Sequence, residues 1–158
     1  MGAPTLGIIG AGQLAQMSLA PAAALGVNLE ILAADSHDSA AQFFPSTIGD
    51  YKNLDQLIEF ARKCDVITFE HELVPNGHVR RLEELGHTVR PSSSALLHAQ
   101  DKAHMRKSFA SINLPQPRWK VVTAVSEIDS YPVILKSISG GYDGRGVRMV
   151  ANQVEAQT

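Results

Sequence analysis

The sequence predicts an α/β fold, a doubly wound parallel sheet followed by the beginning of a second, α+β region. Three observations carry that expectation. Short apolar runs alternate with helix-periodic segments over residues 5 to 90, the pattern of helices laid over a parallel sheet. A glycine turn, Gly10-Ala11-Gly12, joins the first apolar run directly to a helical stretch. After Pro91-Ser92-Ser93-Ser94 the alternation stops. Two helical segments and then a loop with four glycines in seven residues, Gly140 to Gly146, take its place.

Leu6-Gly7-Ile8-Ile9 reads as a short buried strand. Leu14, Met17, Leu19, Ala23 and Leu25 then share a helical period that stops at Gly26, a C-terminal capping residue, with Pro21 expected to kink or interrupt the helix. Leu29 to Ala34 is the second strand, ending at Asp35. Ser39 to Phe44 resembles a short helix closed by Pro45, and Ser46 to Asp50 a weak edge strand or loop. Asn53 is placed to cap a helix carrying Leu54, Leu57, Ile58 and Ala61 on one face. Asp65 to Phe69 is the next strand, with Glu70-His71-Glu72 at its carboxyl end. Val79, Leu82 and Leu85 mark a helix stopped by Gly86, and Thr88 to Arg90 a short strand before Pro91.

In the second region Ser92 to Ser94 offer caps for a helix over Ala95 to Gln100. Asp101 can cap another over Lys102 to Ile112, with Met105, Phe109 and Ile112 on one face. Leu114-Pro115-Gln116-Pro117 is extended by proline geometry. Trp119 to Val122 reads as a strand and Val125 to Ser130 as a short helix or turn. Tyr131 to Lys136 and Val147 to Val150 read as antiparallel strands joined by the glycine loop. Two or three strands without a covering layer would expose an apolar face, so the chain is expected to be part of a longer functional protein.

The composition suits a globular protein: 158 residues, 44% hydrophobic, 19% charged, with a formal net charge of −2. That charge gives no general attraction to nucleic acid. The single cysteine, Cys64, excludes an intramolecular disulfide and a cysteine metal cluster, which fits a cytoplasmic setting. The run Leu6 to Ile9 breaks at Gly10 and lacks a basic flank, so no secretory leader is expected, and no run reaches the ~20 apolar residues of a membrane helix.

Two glycine-rich stretches carry the chemistry. In Ser139-Gly140-Gly141-Tyr142-Asp143-Gly144-Arg145-Gly146, missing Cβ atoms let backbone N–H groups approach an anion, and Lys136 and Arg145 add two cations. Phosphate binding is the reading favoured over a plain hairpin turn. Gly10-Ala11-Gly12-Gln13-Leu14-Ala15 matches the loose dinucleotide fingerprint G-x-G-x-x-G/A, with Asp35 where a ribose-binding acid would stand. The same turn serves wherever a strand passes tightly into a helix, so a nicotinamide enzyme is one reading among several. Glu70 and Glu72 lie on one side of an extended segment. They could share a metal with His71, orient a substrate amine or be solvated, and substrate binding is preferred over metal. Lys102 and Tyr142 are uninformative alone.

Taken together, Gly10-Ala11-Gly12-Gln13-Leu14, Thr68-Phe69-Glu70-His71-Glu72 with Val74-Pro75, Gln100-Asp101-Lys102, Leu114-Pro115-Gln116-Pro117 and Gly140 to Gly146 resemble, in order, the N5-carboxyaminoimidazole ribonucleotide synthetases, ATP-grasp ligases of purine biosynthesis. The resemblance covers residues 6 to 150. It implies a Rossmann-like pre-ATP-grasp domain on the substrate side over residues 1–91. Residues 92–158 would be linker helices and a partial ATP-grasp domain with a glycine lid. It implies that ATP phosphorylates bicarbonate to carboxyphosphate, which carboxylates the amine of 5-aminoimidazole ribonucleotide, with Mg²⁺ required and ADP and phosphate released. Lys102, Lys136, Gly141, Tyr142, Asp143, Gly144, Arg145, Gly146 and Val147 would hold ATP, with Arg145 and Tyr142 reaching the reacting groups. Gly12, Gln13, Leu14, Glu70 and Glu72 would hold the ribonucleotide. A homodimer, and no nucleic-acid or membrane partner, are implied as well.

The chain departs from that pattern at Ala15-Gln16, where many relatives carry Gly-Arg, at Val147, where some carry Gln, and at Ser137 to Ser139. It also departs in length: the adenine pocket and the acidic Mg²⁺ ligands are expected beyond residue 158, and residues 1–158 alone are expected not to turn over ATP. Besides a non-catalytic nucleotide-binding fragment, favoured only if the native chain ends at Thr158, two other readings remain open from sequence. One is a related ATP-grasp enzyme such as a formate-dependent glycinamide ribonucleotide transformylase. The other is an NAD-binding oxidoreductase domain using Gly10 to Ala15 and Asp35.

Overall fold

A computed structural model describes residues 2–141 and 144–157. It divides into two compact units, residues 1–96 and 97–158.

The first unit is built on a four-stranded parallel sheet. Its strands are β1 (Thr5–Ile9), β2 (Asn28–Ala33), β3 (Ser46–Ile48) and β4 (Val66–Phe69), in the order β3-β2-β1-β4. Alternate residues of each strand face opposite sides, and the core divides accordingly. Ile9, Leu32 and Ile67 join one cluster with Leu57, Phe60, Val79 and Leu82 of α3 (Leu54–Ala61) and α4 (Asn76–Glu84). Ile8, Ile31 and Ala33 join another with Ala15 of α1 (Gln13–Met17) and Ala40. Both faces of the sheet are therefore covered, which is the doubly wound arrangement the alternation predicts.

The local signals explain most element ends. The helix expected over 14–25 is two helices, α1 and α2 (Leu19–Leu25), broken at Ser18. Pro21 lies in the first turn of α2, where a missing N–H costs nothing, and it cannot donate to the Met17 carbonyl four residues back. Gly26 closes α2 at φ 66°, with the Val27 N–H donating to the Ala22 carbonyl at 2.9 Å. The Asn53 side chain accepts from the N–H groups of Asp55 and Gln56 at 3.1 and 3.2 Å, satisfying two orphan donors of α3. Asn53→Ala is expected to cost about 1 kcal/mol of stability, read as a lowered urea midpoint at unchanged m-value.

Two expectations in this unit need correction. Residues 39–43 form turns rather than a helix. The Ala40 N–H donates out of the segment to Ala11 at 2.8 Å, and Pro45 leaves no room to propagate the single Phe44-to-Ala40 turn. Thr88 to Arg90 makes only one bridge, Val89 beside Ile67, since Pro91 has no N–H to continue a ladder.

Helix α5 (Ser93–Gln100) starts with the Ser92 hydroxyl accepting from Ala95 N–H at 3.3 Å, and buried Ser93 is bonded through its N–H and hydroxyl to Glu83. In the second unit Asp101 caps α6 (Lys102–Ser111), accepting from His104 N–H at 2.7 Å. Met105 and Phe109 are half-buried, whereas Ile112 is exposed. Trp119 to Val122 is not a strand. Side chains take over the backbone pairing there: Glu127 accepts from Thr123 N–H at 2.8 Å, and Lys120 donates to the Glu127 carbonyl at 2.8 Å and to Asp129 at 3.0 Å. Strands β5 (Val133–Lys136) and β6 (Val147–Val150) pair antiparallel as expected, and α7 (Gln153–Ala156) follows. Among the described residues no helix is long and apolar enough to cross a membrane.

Candidate functional site

The first unit places its candidate residues at the carboxyl end of the sheet. The chain leaves β2 and β3 on one side of β1 and β4 on the other, so the order reverses between β1 and β4, where open parallel sheets take their ligands. Gly10 to Leu14 leave β1 at that point and Glu70 to Glu72 leave β4. Gly10 adopts φ +103°, a conformation that L side chains rarely adopt, and its N–H donates to the Leu32 carbonyl at 3.0 Å. Gln13 and Leu14 are exposed, while Ala15 is buried under the turn.

Glu70 joins the two segments. Its carboxylate accepts the Gly12 N–H at 2.6 Å and the Leu14 N–H at 3.2 Å, and its own N–H donates to the Ile9 carbonyl at 3.0 Å. A carboxylate of the protein thus occupies N–H groups that a dinucleotide fingerprint offers to a diphosphate, which counts against the NAD reading. Asp35 is likewise engaged. It accepts from the His37 N–H at 2.8 Å and pairs with the His37 ring at 2.7 Å, and these bonds, the backbone one first, hold its carboxyl below the usual carboxylate range. Glu72 is half-buried beside the turn's partner strand. His71 packs its ring 5.1 Å from that of Tyr51, an aromatic pair that spacing gave no means of finding. Among the described residues no group of three or more His, Cys, Asp or Glu side chains is placed to hold a metal ion.

The second unit assembles the glycine loop. Lys136 pairs with Val147 at the end of the hairpin, and the Ser137 N–H donates to the Gly146 carbonyl at 2.8 Å. Gly140, Gly144 and Gly146 have φ of 73°, 81° and 70°. Gly141 lies so close to its neighbours that a Cβ there would sit 2.6 Å from the Arg145 carbonyl oxygen and 2.7 Å from Ser137 Oγ. That same position is 3.5 Å from Lys102 Nζ. Lys102 is brought there by α6, whose first N–H donates to the Ile138 carbonyl at 2.9 Å. A lysine that is unremarkable by spacing is therefore a cation at the mouth of the loop. Lys136, Arg145 and Val147 are exposed. They share the loop region with an exposed apolar strand face, Ile134 and Met149. Tyr142 and Asp143 lie outside the described residues.

A family model described as the ribonucleotide synthetase preATP-grasp domain matches residues 3–100. Among curated proteins, the N5-carboxyaminoimidazole ribonucleotide synthase of Mycobacterium tuberculosis (strain ATCC 25618 / H37Rv) is 41% identical over 98% of this chain and 38% of its own length. The synthase of Corynebacterium ammoniagenes is 38% identical over 98% of the chain and 39% of its own length. The chain thus spans about two fifths of the length of these relatives. Among solved structures, the N5-carboxyaminoimidazole synthetase of Staphylococcus aureus complexed with ADP superposes with a TM-score of 0.88 at 26% identity, covering 99% of this chain and 44% of that one. The carboxyaminoimidazole ribonucleotide synthase of Aspergillus clavatus complexed with ATP gives 0.85 at 26% identity, over 97% and 42%. With this match over most of its length, and with the glycine turn and Glu70 at the reversal of its sheet, the chain belongs to the ribonucleotide synthetase preATP-grasp domain family.

Proposed function

We propose that the chain supplies the substrate side and the glycine lid of an ATP-dependent N5-carboxyaminoimidazole ribonucleotide synthetase. Residues 1–91 are the pre-ATP-grasp domain and residues 92–158 the linker helices and first part of the ATP-grasp domain. The observation that carries the reading is the approach of Lys102 to the Gly140–Gly146 loop, which puts a cation against closely packed backbone, as a triphosphate requires. The names of the curated relatives support it over the transformylase.

In this reading ATP phosphorylates bicarbonate to carboxyphosphate, and the amine of 5-aminoimidazole ribonucleotide takes the carboxyl group as phosphate leaves. Such transfers depend on positioning and charge stabilisation more than on covalent help from the protein. Lys102 and Lys136 offset the charge of the ATP phosphates. Residues Gly141 to Gly146 close over them, and Arg145 with Tyr142 reaches toward the labile intermediate, from which a closed lid excludes water. Gln13 and Glu72 hold the ribonucleotide, Gly12 and Leu14 form the turn that carries Gln13, and Glu70 fixes that turn. Mg²⁺, when bound, would neutralise phosphate charge in this reading, with its acidic ligands expected beyond residue 158. A homodimer working in the cytoplasm completes the proposal.

Calorimetric titration of the intact gene product with MgATP, 5-aminoimidazole ribonucleotide and NAD tests it. Heat is expected with the first two and none with NAD. Tight NAD binding without a response to MgATP would overturn the reading.

A further inference from the structure

The glycines of the first turn are explained by the protein itself. A Cβ on Gly12 would collide with Glu70 Oε1, and one on Gly10 would come within 3.0 Å of Oε2 and 3.1 Å of the Glu70 Cβ. The turn is glycine-rich so that Glu70 can reach its N–H groups, whose two bonds take one oxygen each. We infer that Glu70 is an internal anion that closes the Gly10–Leu14 turn to phosphate and diphosphate ligands and, by fixing the turn, positions the exposed Gln13 for substrate. The phosphate of a ribonucleotide must then be read elsewhere than at the β1 turn. Glu70 is a positioning residue, since both its oxygens are committed to backbone N–H groups rather than to a ligand. The part concerning Gln13 rests on the ribonucleotide reading above, while the closure of the turn does not.

Two measurements separate these parts. In ¹H–¹⁵N spectra of the chain, the Gly12 and Leu14 amide protons are expected to move upfield in Glu70→Ala, because a charge-assisted acceptor is lost, and to return part of the way in Glu70→Gln. Pyrophosphate added to the unmodified chain is expected to leave both amides in place. Amides that ignore the substitutions, or that shift with pyrophosphate, overturn the closure. In the intact gene product, Glu70→Ala is expected to raise KM for 5-aminoimidazole ribonucleotide roughly tenfold, the scale of one lost hydrogen bond to a charged group. KM for MgATP should be unchanged, kcat should stay within about twofold, and Glu70→Gln should restore most of the loss. Unchanged KM, or a fall in kcat alone, overturns the positioning of Gln13. If the unmodified protein ignores the ribonucleotide, the substrate reading fails and the Gln13 part falls with it, while the amide shifts still decide whether Glu70 closes the turn. Should Glu70→Ala fail to fold, Glu70→Gln carries both readouts, with smaller shifts.

Discussion

Arg145→Ala is expected to lower kcat of the intact gene product by about 10²- to 10³-fold, the usual cost of removing one donor aimed at developing negative charge. Arg145 stands between Gly144 and Gly146, both at positive φ, and its carbonyl packs against Gly141. The backbone on either side of Arg145 is thus set by glycines, and Arg145 itself is exposed. A planar fork of donors suits a phosphoryl or carboxyphosphate oxygen pair better than a point charge does, so Arg145→Lys should recover only part of the rate. Because the side chain lies outside the core, the melting temperature should barely move, as for most surface substitutions. Steady-state kinetics on the purified variants, with circular dichroism as a fold control, decide the matter. Unchanged kcat and KM would remove Arg145 from the reacting centre.

What could be read from the sequence follows a physical division. Strands β1, β2 and β4 and the caps at Asn53, Asp101 and Gly26 are set by residues within a few positions of one another, and the structure has them where the pattern puts them. The segments that differ depend on distant partners. Trp119 to Val122 has strand composition, but its neighbourhood is organised by Glu127 and Lys120 side chains instead of a ladder. Ala40 gives its N–H to Ala11, a contact no periodicity reveals. The site divides the same way. The glycine density of residues 140–146 and the cations Lys136 and Arg145 are local, visible in one window. The neighbour of Glu70 is not visible, because it depends on β4 lying beside β1, and strand order is absent from a linear pattern. Sequence therefore left the Gly10 turn open between a dinucleotide site and a plain strand-to-helix passage, and the fold places the Glu70 carboxylate on its N–H groups.

Phe60→Ala is expected to destabilise the chain by about 3–5 kcal/mol, the range for removing a buried phenylalanine, and to lower Tm by roughly 6–20 °C at 2–4 °C per kcal/mol for a chain of this size. Phe60 is fully buried on α3. Its ring lies over the backbone of β1, where a Cβ on Gly7 would come 3.0 Å from Cε1 and 3.1 Å from Cζ, and 2.5 Å from the Cys64 sulfur. The strand lacks a side chain at residue 7 because α3 supplies the packing there, and burial in the same place pushes the Cys64 thiol up to about 11. The ring and the glycine are therefore one packing unit, and their substitutions should not add. Gly7→Ala alone overpacks the site, at a cost of about 1–3 kcal/mol. In the Phe60→Ala background the ring contacts of the new methyl group are gone and it partly fills the void, so the double variant should be more stable than the sum of the two losses by about 0.5–3 kcal/mol, the range for residues in contact. Urea denaturation of the four proteins measures that difference. A Phe60→Ala loss under about 1 kcal/mol, or strict additivity with Gly7→Ala, would show that α3 does not rest on the central strand. The anchoring of the Gly10 turn to a rigid β1, on which the Glu70 contact depends, would fail with it.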